Sequence, residues 1–293
     1  MTDSTLAAIF ALTTAALAGP VGLIIRRGQR YGNAVTGVVI GLIVNLPLLI
    51  GATILLWEPG WWNLRAVMLF VALGLAGPLL GRVFMYQSIH YLGVSRAIPL
   101  IQVLPLTTAM AAFGLLGERP GPYVWAGTLL IVAGCVAITL KKKSDTSWDR
   151  RYLLFPLLCV AGFTAGNIIR KVGLNAIPSA VFGVTVTYAS SLVFLFLFRR
   201  LIPPGHRPDL RWGKVWYFYG ACGFCNTVTI LLRFAATRYG DLTIVVPLFS
   251  MSSLFALLVS WLFLRDLERV TRTMVAGTLL VVLGGALITW RIF

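Results

Sequence analysis

A small set of polar side chains lies inside long apolar runs, and these are the residues that could do chemistry. Arg82, Tyr86 and His90 recur at every fourth position, so a helix would place them on one face. A guanidinium there presents a planar fork of donors suited to a carboxylate or phosphate. His90 is the one side chain near an apolar run that titrates around neutral pH, which makes it the candidate for proton-linked behaviour. Arg233 occupies the place in the second half that Tyr86 holds in the first, with Asn226 seven residues before it on the same helical face. Gln102 sits between Pro99 and Pro105, where a bent helix would expose backbone carbonyls beside its amide. Asn45 precedes Pro47, Asn167 lies three residues before Arg170, and Tyr188 stands among Thr185, Thr187, Ser190 and Ser191. Arg82, Tyr86, Gln102, Asn45, Asn167, Tyr188, Asn226 and Arg233 are the candidate cavity residues. The competing reading of the amides and hydroxyls is hydrogen bonding that only holds helices together. For Arg82 and Arg233 it is snorkelling to the nearer membrane surface.

The missing residue types narrow the chemistry. None of the nine acidic residues falls in the middle of an apolar run. No paired acids, metal cluster or nucleophile with a base can be assembled, so an enzyme is not expected. No G-x-x-x-x-G-K-[ST] loop is present to cradle nucleotide phosphates. Cys135, Cys159, Cys222 and Cys225 lie in apolar runs, and the Cys222/Cys225 pair has no histidine or acid near it. They read as small packing residues, with no metal and no cofactor expected. Without an acid in the interior, a lipophilic cation would find no counter-charge. The two interior arginines instead favour a solute that is anionic or zwitterionic.

The elements that position these residues must be membrane-spanning helices. The 293 residues are 58% hydrophobic and 12% charged, with a mean hydropathy of +0.88, about half the charge of a typical soluble domain. Such a chain lacks the polar surface to face water, and its solvent is lipid. Ten runs are long enough to cross a bilayer: 5–25, 34–57, 65–89, 97–117, 121–140, 152–172, 178–199, 213–236, 242–264 and 272–290. They are continuous rather than alternating with period two, which excludes a β-barrel. The first run contains Ala16-Leu17-Ala18, which resembles a signal cleavage site. Its basic cluster Arg26, Arg27 and Arg30 follows the run instead of preceding it, so it reads as a retained helix. G-x-x-x-G pairs at Gly37/Gly41, Gly77/Gly81 and Gly162/Gly166 favour a tight bundle. The tryptophans, among them Trp57, Trp61, Trp212 and Trp290, sit mostly at run ends, as an aromatic belt requires.

The net charge of +16 comes from 25 Lys and Arg, which cluster between the runs. That pattern signals orientation rather than nucleic-acid binding. If the first run leads inward, and Arg82 and Arg233 inside runs are set aside, 17 basic residues fall on inner connections. Six fall outside: Arg65, Arg119, Arg170, Lys171, Arg238 and Arg291. The bias puts both termini outside the cytoplasm.

Self-similarity is the most informative feature. Residues 126–139 match 276–289 at nine of 14 positions. Glu118 and Glu268 each precede the matching Ala-Gly by the same interval, Tyr91-Leu92-Gly93 parallels Arg238-Tyr239-Gly240, and Ile24-Ile25-Arg26-Arg27 parallels Ile168-Ile169-Arg170-Lys171. The chain is therefore a duplication, with a first repeat over 1–145 and a second over 146–293. Each repeat holds five helices, an odd number, so the second enters the membrane inverted. Inverted repeats are the architecture of secondary transporters.

With Gly93, Pro99, Pro105, Gly117-Glu118-Arg119, Ala126-Gly127 and Gly134 in one half, and Gly240, Pro247, Glu268, Ala276-Gly277 and Gly284 in the other, the sequence resembles the EamA-type branch of the drug/metabolite transporter superfamily. The second half departs from the pattern, with Leu264-Arg265-Asp266-Leu267-Glu268 where the branch has L-G-E. The resemblance implies an all-α integral membrane fold of ten helices, export or exchange of small metabolites, a cavity between helices 1–4 and 6–9, and peripheral fifth and tenth helices. The first span carries Thr13 and Thr14 where small cationic-drug antiporters of that superfamily carry a Glu. Glu118 and Glu268 read as acids that cap the helix following each of them. The expected function is alternating-access transport of a small organic solute in the cytoplasmic membrane of a bacterium. The expected partners are that solute and the lipid bilayer, with no nucleic acid, and a homodimer is compatible with the pattern. A lipid-phosphate flippase of the same fold and a non-transporting membrane scaffold are the alternatives.

Overall fold

Three helix starts have a local cause where polar residues meet an apolar run. The Asn33 carboxamide accepts from Thr36 N–H (2.8 Å), and Asn63 accepts from Ala66 N–H (3.3 Å). Ser179 Oγ accepts from Phe182 N–H (3.3 Å). Each satisfies an amide that the first helical turn leaves unpaired.

A computed structural model of the chain describes residues 3–28, 31–58, 61, 63–92, 94–139, 150–198, 208, 210–255, 258 and 272–290. In these the apolar runs are helical: α1 (Asp3–Gly28), α2 (Ala34–Leu55), α3 (Leu64–Gly74), a π-helical segment (Leu75–Gly81), and α4 (Arg82–Leu92). There follow α5 (Val94–Ile101), α6 (Leu104–Leu115) and α7 (Pro122–Thr139). The second half comprises α8 (Leu154–Ala176), α9 (Ala180–Leu197), α10 (Lys214–Tyr239), α11 (Leu242–Ser250) and α12 (Arg272–Trp290). Six helical stretches are long and apolar enough to cross a bilayer alone and four more are shorter, which accounts for the ten expected spans. At 1.5 Å per residue, α2 is about 33 Å long, the thickness of a hydrocarbon core.

Two spans differ from their expected form, and one shows the break its prolines signalled. The third is interrupted by the π segment, which contains Pro78. The fourth breaks at Gln102–Val103, between α5 and α6, because Pro105 cannot donate to the preceding turn. The sixth runs past residue 172 to Ala176, and Arg170 and Lys171, which were counted with the outer connections, lie well inside it. Their place in the orientation count is thereby withdrawn.

The two repeats meet most closely through α7 and α12. A methyl group on Gly134 would lie 2.5 Å from the Gly277 carbonyl oxygen, and one on Gly277 would lie 2.7 Å from that of Gly134. Gly127 and Gly284 show the same reciprocity, at 2.7 and 2.6 Å. Gly127 facing Gly284 while Gly134 faces Gly277 means antiparallel helices related by a twofold axis, as inverted repeats require. The G-x-x-x-G pairs of the π segment and α8 also oppose one another: a methyl on Gly166 would come 3.4 Å from Gly77 Cα, and one on Gly162 3.6 Å from Gly81 Cα. Small residues thus let backbones touch where lipid supplies no hydrophobic drive.

Two large buried clusters and a smaller one of Ile40, Val215 and Tyr219 form the interior. One of the large clusters gathers the alanine face of α1 (Ala7, Ala8, Ala11, Ala15) with Ile131, Val245, Leu248 and Ile288. The other centres on Phe70, Leu174, Phe182 and Phe234. Leu55, Leu115, Leu129, Leu197 and Leu279 are exposed on the outer faces, which suits a lipid-facing perimeter.

Candidate functional site

Arg82 opens α4 directly after the π segment, so its direction is set by how that segment is held. Pro78 has no N–H to give to the helical ladder. Ser191 Oγ, on α9, donates to the Gly74 carbonyl at 3.0 Å. A neighbouring helix thus adds a side-chain donor where the helical ladder changes from α to π. Phe163 packs on Gly81 from α8. Arg82 is partly buried and acts electrostatically on Arg233 and Cys222 of α10.

Arg170 was not among the candidates, yet it is the most enclosed cation of the site at 8% exposure. Its Nη1 donates to Asn167 Oδ1 (3.0 Å), and Asn167 Nδ2 donates to Thr108 Oγ1 on α6 (3.3 Å). The guanidinium lies over the Phe234 ring, 4.9 Å from its centroid. Arg233 is held in the same way, 4.7 Å from the centroid of Phe249. The Nε atoms of Arg170 and Arg233 are both buried and have no hydrogen-bond partner among the described residues. Buried Nε atoms do not fit snorkelling, in which the guanidinium would leave the bundle interior. Tyr188 on α9 interacts electrostatically with both arginines, which also repel each other. Asn226 Nδ2 donates to Tyr188 Oη at 3.4 Å. Arg82, Arg170, Tyr188, Asn226 and Arg233 thus converge between α4, α8, α9 and α10. Among the described residues no carboxylate pairs with the three guanidiniums. The described acids Asp3, Glu58, Glu118 and Asp241 all sit at helix ends.

The model of the EamA-like transporter family matches residues 5–140 and again 150–290. The chain belongs to that family. This EamA-like transporter is an integral membrane protein built from two repeats. No curated protein matches its sequence. One solved crystal structure superposes with a TM-score of 0.76 over 97% of this chain and 96% of its own, at 16% identity, a likeness of fold.

Other candidates of the EamA-like transporter serve its joints. Asn45 is 1% exposed. With Nδ2 turned toward α10, its two N–H groups face the Gly223 carbonyl (2.6 Å) on α10 and the Gly41 carbonyl (3.0 Å) on α2, with Thr227 Oγ1 3.1 Å away, so the amide ties α2 to α10. Gln102 lies at the α5–α6 break and donates through Nε2 to Ser253 Oγ (2.8 Å), joining the broken helices of the two repeats. Tyr86 and His90 lie on α4, but their side chains are outside the described residues, as is Glu268 altogether. Glu118 does not cap α7, the helix that follows it. Its Oε1 accepts from Leu242 N–H and its Oε2 from Thr243 N–H, both at 2.9 Å, so it caps α11 in the other repeat. Lys171 Nζ meets the opposite helix end, donating to the Thr237 (3.0 Å) and Gly240 (2.7 Å) carbonyls. An anion at an N-terminus and a cation at a C-terminus both complement the helix dipole, and together they fix the α10–α11 corner. A signal for Arg170 was present: Asn167 and Arg170 stand three apart, the spacing of helix neighbours.

Proposed function

We propose that this protein is a secondary-active transporter that exports or exchanges a small organic solute by alternating access, with a preference for anionic or zwitterionic solutes. The observation that carries the reading is the group of three guanidiniums at the bundle centre with no described carboxylate beside them. A membrane-embedded arginine costs about 3 kcal/mol on insertion scales, and a ring beneath it returns roughly 1 kcal/mol. A negatively charged solute would supply the missing counter-charge. Two inverted repeats would then expose the same site to either side in turn. The membrane is taken to be the bacterial cytoplasmic membrane, with both termini on its outer side.

The test is uptake into proteoliposomes of labelled succinate, glutamate, glycerol phosphate and tetraphenylphosphonium, for wild type and Arg82→Ala. Saturable movement of an acid or zwitterion, slowed at least about tenfold in the variant, is expected. Movement of the cation alone would overturn the proposal.

A further inference from the structure

We propose that Arg170 and Arg233 form a two-armed site for one oxyanion group, a carboxylate or a phosphate, received by the Nε edges of their guanidiniums. The inference rests on the anionic-solute reading above and says which atoms take the charge.

The argument starts from what each guanidinium has left to give. Asn167 occupies Nη1 of Arg170, and Thr108 holds Asn167 in turn. That leaves the opposite edge, which begins at Nε. The edge is enclosed: the residue is 8% exposed, and Nε is buried with no partner among the described residues. An unsatisfied buried donor on a charged group is more costly than an ordinary one, so its persistence calls for a ligand. Arg233 repeats the arrangement from α10, with Nε buried and unpartnered.

The two rings explain why the edges stay available. Phe234 and Phe249 lie beneath the guanidinium planes at 4.9 and 4.7 Å. A ring under the plane holds the cation by its face and leaves the in-plane N–H groups unused. Phe234 is 1% exposed and Phe249 7%, so these supports are themselves fixed by packing. Two like charges that repel each other are stabilised together by one anion between them. Tyr188 adds a hydroxyl within electrostatic reach of both arginines, and Asn226 orients it. Carboxylate and phosphate share the feature that matters, a pair of oxygens spaced for side-on pairing with an Nε edge.

The geometry separates the roles of the arginines. Arg82 is not among the described residues whose Nε is buried without a partner. It adds positive potential, while Arg170 and Arg233 make the contacts.

The experiment uses the full-length protein in nanodiscs of zwitterionic lipid. Binding of benzoate, inorganic phosphate and, as a control, tetraethylammonium is measured by calorimetry for wild type, Arg170→Lys, Arg233→Lys and Arg82→Ala. Lysine keeps the charge but has no Nε edge. The expected result is that benzoate or phosphate binds wild type, and each lysine variant weakens it by about 10- to 100-fold. A parallel arm adds phosphatidic acid to the nanodiscs. If the lipid displaces the probe, the oxyanion is a lipid headgroup; if not, it belongs to a free solute. Should a lysine variant fail to fold, arginine side-chain Nε–H resonances of labelled wild type serve instead, and two slowly exchanging signals must move on addition of probe. Oxyanion binding that Arg82→Ala abolishes and both lysine variants retain would sink this inference and leave the anionic-solute reading standing. If no oxyanion binds wild type, both fall.

Discussion

Replacing Glu118 tests whether the two repeats are fastened at the α10–α11 corner as the geometry indicates. The carboxylate accepts the first free amides of α11, Leu242 and Thr243, at 2.9 Å each. A hydrogen bond to a charged group contributes about 1.5–3 kcal/mol, and the loss of a helix cap alone costs 0.5–2 kcal/mol, typically about 1. Glu118 is partly exposed, so solvent screening brings the pair toward the lower end. Glu118→Ala should then destabilise by about 2 kcal/mol, or roughly 4–8 °C in Tm for a chain of this size. Glu118→Gln keeps one acceptor oxygen and loses the charge, so about half that loss is expected. The assay is thermal unfolding in detergent followed by tryptophan fluorescence, with Arg119→Ala as the neighbouring control. If both Glu118 variants melt within about 1 °C of wild type, the corner is not held by this carboxylate.

The remaining predictions concern backbone contacts. Gly134→Ala places a methyl 2.5 Å from the Gly277 carbonyl oxygen and 2.8 Å from the Val281 nitrogen. Because backbone cannot yield as a side chain does, α7 and α12 must separate at a cost of about 1–3 kcal/mol. Gly220→Ala meets nothing within 4 Å and should melt like wild type in the same scan. Ser191→Ala removes the side-chain donor to the Gly74 carbonyl; a loss of about 1 kcal/mol is expected, with faster amide exchange across the π segment.

The fold was largely readable because a bilayer constrains length and polarity so strongly. The run expected over 121–140 is α7 at Pro122–Thr139, and that over 34–57 is α2 at Ala34–Leu55. The break at Gln102 was signalled by its flanking prolines. Side-chain partners were far less legible, since they come from distant helices. Nothing near Glu118 in sequence points to Leu242, and Asn45 beside Pro47 looks like a solute contact until α10 arrives to occupy its amide. Arg170 fell inside the run 152–172 yet was tallied with Lys171 among the outer basic residues. The rings brought by α10 and α11 are what reveal a buried pair. Arg233, a cavity candidate with snorkelling as its competing reading, rests on Phe249.

In a regular α-helix each residue turns the chain by about 100°. A π-helical stretch makes its hydrogen bonds one residue further along, so the segment Leu75–Gly81 rotates everything that follows it. Arg82 is the first residue beyond that offset. Which neighbour its charge meets is therefore decided by a count of residues upstream, independently of the identity of any side chain in α4. Removing one residue from 75–81 would swing the whole of α4 around its axis, turning Arg82 away from Arg233 without altering a single functional group. In this bundle the aim of a charge and its chemical nature are inherited separately, and a one-residue deletion can change the first while leaving the second intact.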